Sequence, residues 1–357
     1  MKAKLMLEDG KGFTGESLGP GGERMGEVVL NTAVVGYQEM MTDPANAGKI
    51  LVLTYPLVGN YGIAPKFNES KQCWLNGMVI KEKSKTYSNW QAKSSLDDFI
   101  KEQGLMTLTE VDTRTLAVHI RNKGEMLGII STDGADSKDL LVKMESLRKA
   151  TRLSILDKIS VTTPTHLKKS RPKYRLAILD LGITRSIIAQ LENLGCSLQI
   201  FPYQTDSKEI LHSKSQGLII SNGPENDPGL EKVAENIKEL IGSIPILGIS
   251  TGHQVLAASL GAKITRMKLG HHGGNYPIYN PASYKGEITV QNHSYVVDTD
   301  SLNKIKEIKV TAYNLNDRTV EEIESKKMKF LGVQYIPASP GFNEVNNVFK
   351  KFLKITN

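Results

Sequence analysis

The segment Pro245-Ile-Leu-Gly-Ile-Ser-Thr-Gly-His-Gln-Val-Leu-Ala sets one hydroxyl where a short apolar run meets a helix-forming run. The small residues Gly248 and Gly252 allow a sharp turn there, which lifts one side chain above a sheet. A helix start behind that side chain offers free amides and positive potential to an oxyanion. Ser250 is therefore a candidate hydrolase nucleophile. The plainer reading is a tight turn whose Ser250 or Thr251 caps the helix. A serine hydroxyl ionises far less readily than a thiol and needs a strong general base. The histidines are His119, His166, His212, His253, His271, His272 and His293, and none follows position 293.

The elements that position this turn follow from the pattern after about Arg175. Arg175-Leu-Ala-Ile-Leu-Asp-Leu reads as a buried strand, followed by an amphipathic helix from about Thr184 to Leu194. Ser197-Leu-Gln-Ile-Phe, a helix near Ser207 to His212, Gly217-Leu-Ile-Ile-Ser, a helix from Gly229 to Ile241 and Pro245-Ile-Leu-Gly-Ile continue the alternation. That rhythm predicts a parallel sheet with helices on both faces, where ligands sit at the carboxyl ends of the strands. Ser221-Asn-Gly-Pro and the Ser250 turn both belong there. Before about Asp157 the chain reads as a mixed domain of short strands, such as Glu27-Val-Val-Leu and Ile50-Leu-Val-Leu-Thr. Helices are expected over Ser95 to Gln103 and after Val111, the latter capped by Asp112 or Thr113. Between about Ser160 and Tyr174 the Thr-, Pro- and Lys-rich sequence lacks hydrophobic periodicity and reads as a linker.

Composition excludes several classes. At 357 residues, 39% hydrophobic and 23% charged, the chain suits two globular domains. No apolar run approaches the roughly 20 residues of a membrane span. Glu8 and Asp9 interrupt the N-terminus too early for a signal peptide, so a cytoplasmic protein is expected. The net charge is +7, but its basic residues are scattered, and nucleic acid is not the expected partner. Cys73 and Cys196 make neither a disulfide framework nor a Cys-rich metal site. His253, His271 and His272 invite a metal, yet adjacent histidines on an extended segment cannot easily face one ion, and no acidic ligand is evident. No metal is expected. The Gly-rich stretch from Gly10 to Gly22 lacks nucleotide-loop spacing.

Gly248-Ile-Ser-Thr-Gly-His-Gln resembles the Gly-Ile-Cys-Leu-Gly-His-Gln elbow of class I glutamine amidotransferases. Met267-Lys-Leu-Gly-His-His-Gly-Gly-Asn-Tyr-Pro, Gln291-Asn-His-Ser-Tyr-Val-Val-Asp and Ala338-Ser-Pro-Gly resemble the small subunit of carbamoyl-phosphate synthase in particular. So do Gly26-Glu-Val-Val-Leu-Asn-Thr, Gly36-Tyr-Gln-Glu, Thr42-Asp-Pro, Gly59-Asn-Tyr-Gly and Val111-Asp-Thr-Arg. The resemblance implies an α/β chain with a small-subunit N-terminal domain over 1–157 and a linker over 158–174. A doubly wound parallel-sheet amidotransferase domain would fill 175–357. It also implies a large-subunit partner that alone carries ATP and makes carbamoyl phosphate for arginine or pyrimidine synthesis.

The sequence departs from that family at the chemistry. The family's nucleophile is a Cys, activated by a His that a Glu orients; here Ser250 stands at the Cys position. The motif Gln-Tyr-His-Pro-Glu-Ala-Ser-Pro-Gly reads Gln334-Tyr-Ile-Pro-Ala-Ser-Pro-Gly, so Ile336 replaces the His and the Glu is absent. The Gly-Pro-Gly-Asp-Pro loop reads Gly223-Pro-Glu-Asn-Asp-Pro, with Glu225 or Asn226 where a second glycine would let the backbone approach substrate. Ala45 takes the place of a glutamine-binding Ser, and Thr251 that of the Leu beside the nucleophile. Ser294 and Tyr295 replace Gly and Phe, while Gln254 and Asn292 persist. The expected protein is a non-hydrolysing small subunit that supports or regulates an ammonia-using large subunit. The alternatives are a glutaminase acting through Ser250 and a repurposed pocket for another small polar molecule.

Overall fold

The computed structural model describes residues 2–149, 153–341 and 343–356. They divide into two compact units. The first takes the residues up to 149 together with Lys268–His272; the second takes those from Leu153 to Met267 and from Gly273 onward.

The first unit is a closed barrel. Its strands are β1 (Lys2–Leu7), β2 (Gly12–Leu18), β3 (Glu23–Asn31), β4 (Ile50–Leu53), β6 (Gly77–Val79), β8 (Thr107–Thr109) and β9 (Met126–Ser131), with β5 (Leu57–Val58) and β7 (Glu82–Lys83) paired separately. The barrel runs β1-β2-β8-β6-β4-β3-β9. The period of two explains why its strands read as solid apolar runs. Val28, Ile50 and Val52 join one core, while Val29, Leu51 and Leu53 join another on the opposite face. The second face is covered by helix Leu96–Glu102 through Leu96, Phe99 and Ile100. Ser95 and Asp98 form a capping box at its start. Helix Thr113–Lys123 is capped by Asp112, whose carboxylate accepts from the Thr115 amide.

The second unit holds a ten-stranded sheet. Its strands are β10 (Thr165–Leu167), β11 (Tyr174–Asp180), β12 (Cys196–Pro202), β13 (Gly217–Ile220), β14 (Ile246–Ile249), β15 (Ile264–Asn280), β16 (Lys285–Val297), β17 (Lys309–Asn314), β18 (Val320–Ser325) and β19 (Phe330–Val333). Its order is β10-β12-β11-β13-β14-β19-β18-β17-β15-β16. The five strands from β12 to β19 are parallel, as the alternating pattern predicts. The antiparallel extension from β18 to β16 was not foreseen. Its long hairpin strands mix polar and apolar residues without a clean alternation. Helices cover both faces: Val233, Ile237, Val255 and Leu256 pack on one, and Ile187, Leu191, Phe349 and Phe352 on the other.

Two boundaries differ from expectation. The stretch 158–174, read as a linker, contributes an edge strand, β10, that pairs antiparallel with β12. Its Val161 amide donates to Asp180 at 2.9 Å. An exposed edge strand needs no hydrophobic repeat, which is why the sequence there looked unstructured. The helix expected to reach Ile241 ends at Lys238. Gly242, at φ 85°, follows the tightened last turn. Among the described residues, no helix is long and apolar enough to cross a membrane.

Candidate active site

The site is built at the carboxyl ends of β13, β14 and β19. Ser250 follows β14 directly at φ 52° and ψ −111°, a strained conformation for a residue with a Cβ. Its amide donates to the Val333 carbonyl at 2.7 Å, which ties the turn to β19. Helix Thr251–Ser259 begins immediately. The flanking glycines are obligatory for close packing. A Cβ on Gly252 would stand 2.1 Å from the Ile220 carbonyl oxygen, and one on Gly223 would stand 1.9 Å from that of Leu181. The capping alternative fails: Ser250 makes no side-chain cap, and the Thr251 hydroxyl donates to the Gly223 carbonyl at 2.6 Å.

Ser250 is fully buried and its Oγ meets no hydrogen-bond partner among the described residues. The nearest histidine in sequence, His253, is also fully buried, with neither ring nitrogen hydrogen-bonded to a side chain. It packs on Gly332, where a Cβ would come within 2.7 Å of Nδ1. Burial pushes its pKa down to about 3, a contact with the Gly332 backbone opposing. His253 is therefore neutral at physiological pH, and it makes no hydrogen bond to Ser250. His293 is engaged elsewhere, with Nδ1 3.0 Å from the Tyr295 carbonyl and Nε2 2.9 Å from Gln291 Oε1.

Ile336 occupies the position expected for the base. Its amide donates to the Val290 carbonyl at 2.8 Å, and its half-buried side chain packs on the core. The next two carbonyls are clamped: Pro337 accepts from Gln190 Nε2 and Ala338 from Asn346 Nδ2, both at 2.9 Å. An aliphatic side chain cannot accept a proton. Neither thiol offers an alternative nucleophile. Cys73 belongs to the first unit and Cys196 begins β12, and burial raises each to about 11, so both stay protonated near neutral pH.

Several of the expected pocket residues come together around Glu225. In the loop after β13, Asn226 takes φ 52° and points outward, while the Glu225 side chain turns in. Glu225 Oε1 accepts from Gln254 Nε2 at 2.6 Å and from the Tyr295 amide at 3.2 Å. Oε2 accepts from the Ser294 amide at 2.6 Å. Gln254 Nε2 also donates to the Tyr295 carbonyl at 2.9 Å. These two contacts use both of its protons, which leaves Gln334 Oε1, at 3.4 Å, marginal. Asn292 lies half-buried on β16 beside this pair of amides. Ala45 belongs to the first unit, in a short turn where its amide donates to Asp43 at 2.9 Å.

Sequence reasoning anticipated that a side chain at Glu225 or Asn226 would crowd the loop. It did not foresee a carboxylate seated on Gln254 and two amides; the extra residue in the loop was the signal. Asn222, Gln334 and His253 were also missed as site residues. Among the described residues, the Asn222 amide and Gln334 Nε2 are buried without hydrogen-bond partners.

An elbow at the end of a parallel strand, facing a Gly-Pro loop on the next strand, defines a class I glutamine amidotransferase fold, and residues 177–355 match that family. Residues 5–130 match the CPSase domain of the carbamoyl-phosphate synthase small chain. The chain is 39% identical over 357 residues to the carbamoyl phosphate synthase small chain of Chlorobaculum tepidum, spanning 99% of this chain and 97% of that one. It is 37% identical over 366 residues to that of Syntrophotalea carbinolica, with the same coverage. With the chloroplastic small chain of Arabidopsis thaliana the identity is 34% over 367 residues, covering 99% and 85%. The chain belongs to the carbamoyl-phosphate synthase small-chain family.

Two predictions follow from this geometry. Ser250→Gly removes the backbone strain, which costs about 1–3 kcal/mol, and part of that gain is offset by a looser unfolded chain. Urea unfolding should show a net stabilisation of about 1 kcal/mol; a loss would mean that the side chain makes a stabilising contact. His253 has a folded pKa near 3 against an ordinary value of 6.5, so below pH 6.5 the unfolded chain binds the extra proton. Stability should fall with pH more steeply in the native protein than in His253→Asn, by up to about 1.4 kcal/mol per unit between pH 6.5 and 5. Parallel profiles would show that His253 takes up its proton equally in both states.

Proposed function

We propose that this chain is a carbamoyl-phosphate synthase small chain that does not hydrolyse glutamine, and that it acts as a structural or regulatory partner of an ammonia-using large chain. The observation that carries this reading is Ser250, buried with an unpartnered hydroxyl, with Ile336 where the general base would stand. Acyl transfer needs the nucleophile's proton removed as the bond forms, and a positioned base contributes about 10²–10⁴-fold to such steps. No histidine follows position 293; burial leaves His253 a weak base that makes no hydrogen bond to Ser250, and His293 is engaged with Gln291 and the Tyr295 carbonyl.

The amide-rich helix start behind Ser250 remains an oxyanion site in form, but no thiolate is available to attack. Glu225 further places a negative charge against Gln254, the residue that the family resemblance assigns to glutamine. The separate N-terminal unit and the near-complete coverage of small-chain relatives support a role in pairing with a large chain. By the same resemblance, ATP and the synthesis of carbamoyl phosphate belong to that large chain, which serves arginine or pyrimidine formation. The cytoplasm is the proposed compartment, and this chain is proposed to need neither metal nor cofactor.

One observation favours a second reading, a serine-dependent glutaminase: Ser250 retains the strained elbow conformation. Glutamate release from glutamine separates the two. The native chain, Ser250→Ala and Ser250→Cys should all release glutamate at the rate of the buffer blank, because none has a base. Release by the native chain that Ser250→Ala abolishes would establish the second reading.

A further inference from the structure

The ten-stranded sheet ends on β16, and among the described residues no strand lies on its outer side. The first part of β16 is exposed from Lys285 to Ile288. Two large apolar side chains stand out there, Tyr284 at 82% exposure and Ile288 at 63%. Further along, the edge is closed, because the Val290 carbonyl accepts from the Ile336 amide at 2.8 Å. In an antiparallel strand alternate residues turn both backbone groups to the same side. Ile288 and Gly286 therefore present their N–H and C=O groups outward, as Val290 does. The reversal between β15 and β16 bounds the free stretch at its other end, with Tyr284 at φ 56°. What is left is the segment Tyr284-Lys-Gly-Glu-Ile288, with Gly286 at its midpoint.

An unpaired edge is a template for another strand, and native chains commonly blunt it with a lysine, a proline or a bulge. Lys285 is such a charge, but Glu287 lies two residues on and so on the same face of the strand. We propose that this edge pairs with a second copy of the chain, the two β16 strands running antiparallel about a twofold axis at Gly286. Charge selects the register. Centred on Gly286, each Lys285 stands opposite Glu287 of the other copy, and each Tyr284 comes beside Ile288 of the other copy. The two Gly286 residues exchange their outward N–H and C=O groups, with no side chain between them. A register centred on Lys285 sets lysine against lysine, and one centred on Glu287 sets carboxylate against carboxylate. Opposite-charge and aromatic–β-branched cross-strand pairs stabilise antiparallel strands, whereas like charges directly opposite destabilise them. A twofold contact closes on itself, so the product is a dimer and not a fibre. The paired segment is short and its area small, so the dimer is a weak one that grows with concentration. Pairing of copies requires neither glutamine cleavage nor a large chain, and the inference stands apart from the proposed function.

Charge reversal tests it on the full chain. Sedimentation equilibrium gives the mass in solution from about 1 μM to about 1 mM. The native mass should rise from one chain to two across that range. Glu287→Lys sets two lysines against two lysines, and Lys285→Glu sets two carboxylates against two carboxylates. Both positions are exposed, so both variants should fold, and each alone should stay monomeric at every concentration. An equimolar mixture of the two variants should regain the dimer, because the lysines of one then face the carboxylates of the other. A native chain that remains monomeric would overturn the proposal. So would a Glu287→Lys variant that dimerises like native protein, which would place the contact elsewhere, or a mixture that stays monomeric. A monomeric native chain whose hold on a large chain is weakened by Glu287→Lys would give the edge to that partner instead.

Discussion

The second unit depends on the closeness with which backbone meets backbone at the ends of β13 and β14. Gly252 lies against the Ile220 carbonyl and Gly223 against that of Leu181, both at separations that no Cβ could share. Together with the Ser250 amide bonded to Val333, these contacts force the chain through the strained turn and aim the start of the following helix at the pocket. The frame of a nucleophile elbow is thus set by packing, and packing is indifferent to whether a nucleophile occupies it. The frame does not depend on which side chain stands at position 250.

The departures from the family motif share a physical logic. Ser250 presents a hydroxyl that needs a base, and Ile336, at the position where the family resemblance places that base, joins an apolar core and a bridge to Val290. The inserted loop residue then lets Glu225 reach Gln254 and the amides of β16. Each change is locally satisfied: the aliphatic side chain is packed, and the carboxylate is hydrogen-bonded. Among the described residues, the Ser250 hydroxyl, the Asn222 amide and the His253 ring have no hydrogen-bond partner, and all are buried within the frame.

Much of this was legible in the sequence where a short-range rule applied. The parallel strands from β11 to β14 announced themselves as apolar runs between amphipathic helices, and Asp112 caps as its position implied. Ser250 and Ile336 could be placed against the family motif because fixed neighbours flank them. The antiparallel extension was not legible, since long-range pairing of partly polar strands leaves no local period. The edge strand β10 hid in a Lys- and Thr-rich stretch for the same reason. Glu225 was visible as an intruder, but its hydrogen bonds join residues some 29 to 70 positions apart. Spacing within one loop cannot encode such contacts.

The most direct test of the account uses the chain together with its large chain. Carbamoyl phosphate formation is measured with ATP and bicarbonate, once with ammonium and once with glutamine as the nitrogen source. The account predicts synthesis from ammonium, with a rate or large-chain stability that depends on this chain, and none from glutamine above the ammonia contaminating it. Glutamine-driven synthesis at a rate comparable to that with ammonium would contradict it, and would mean that a base serves Ser250 that the geometry described above does not contain.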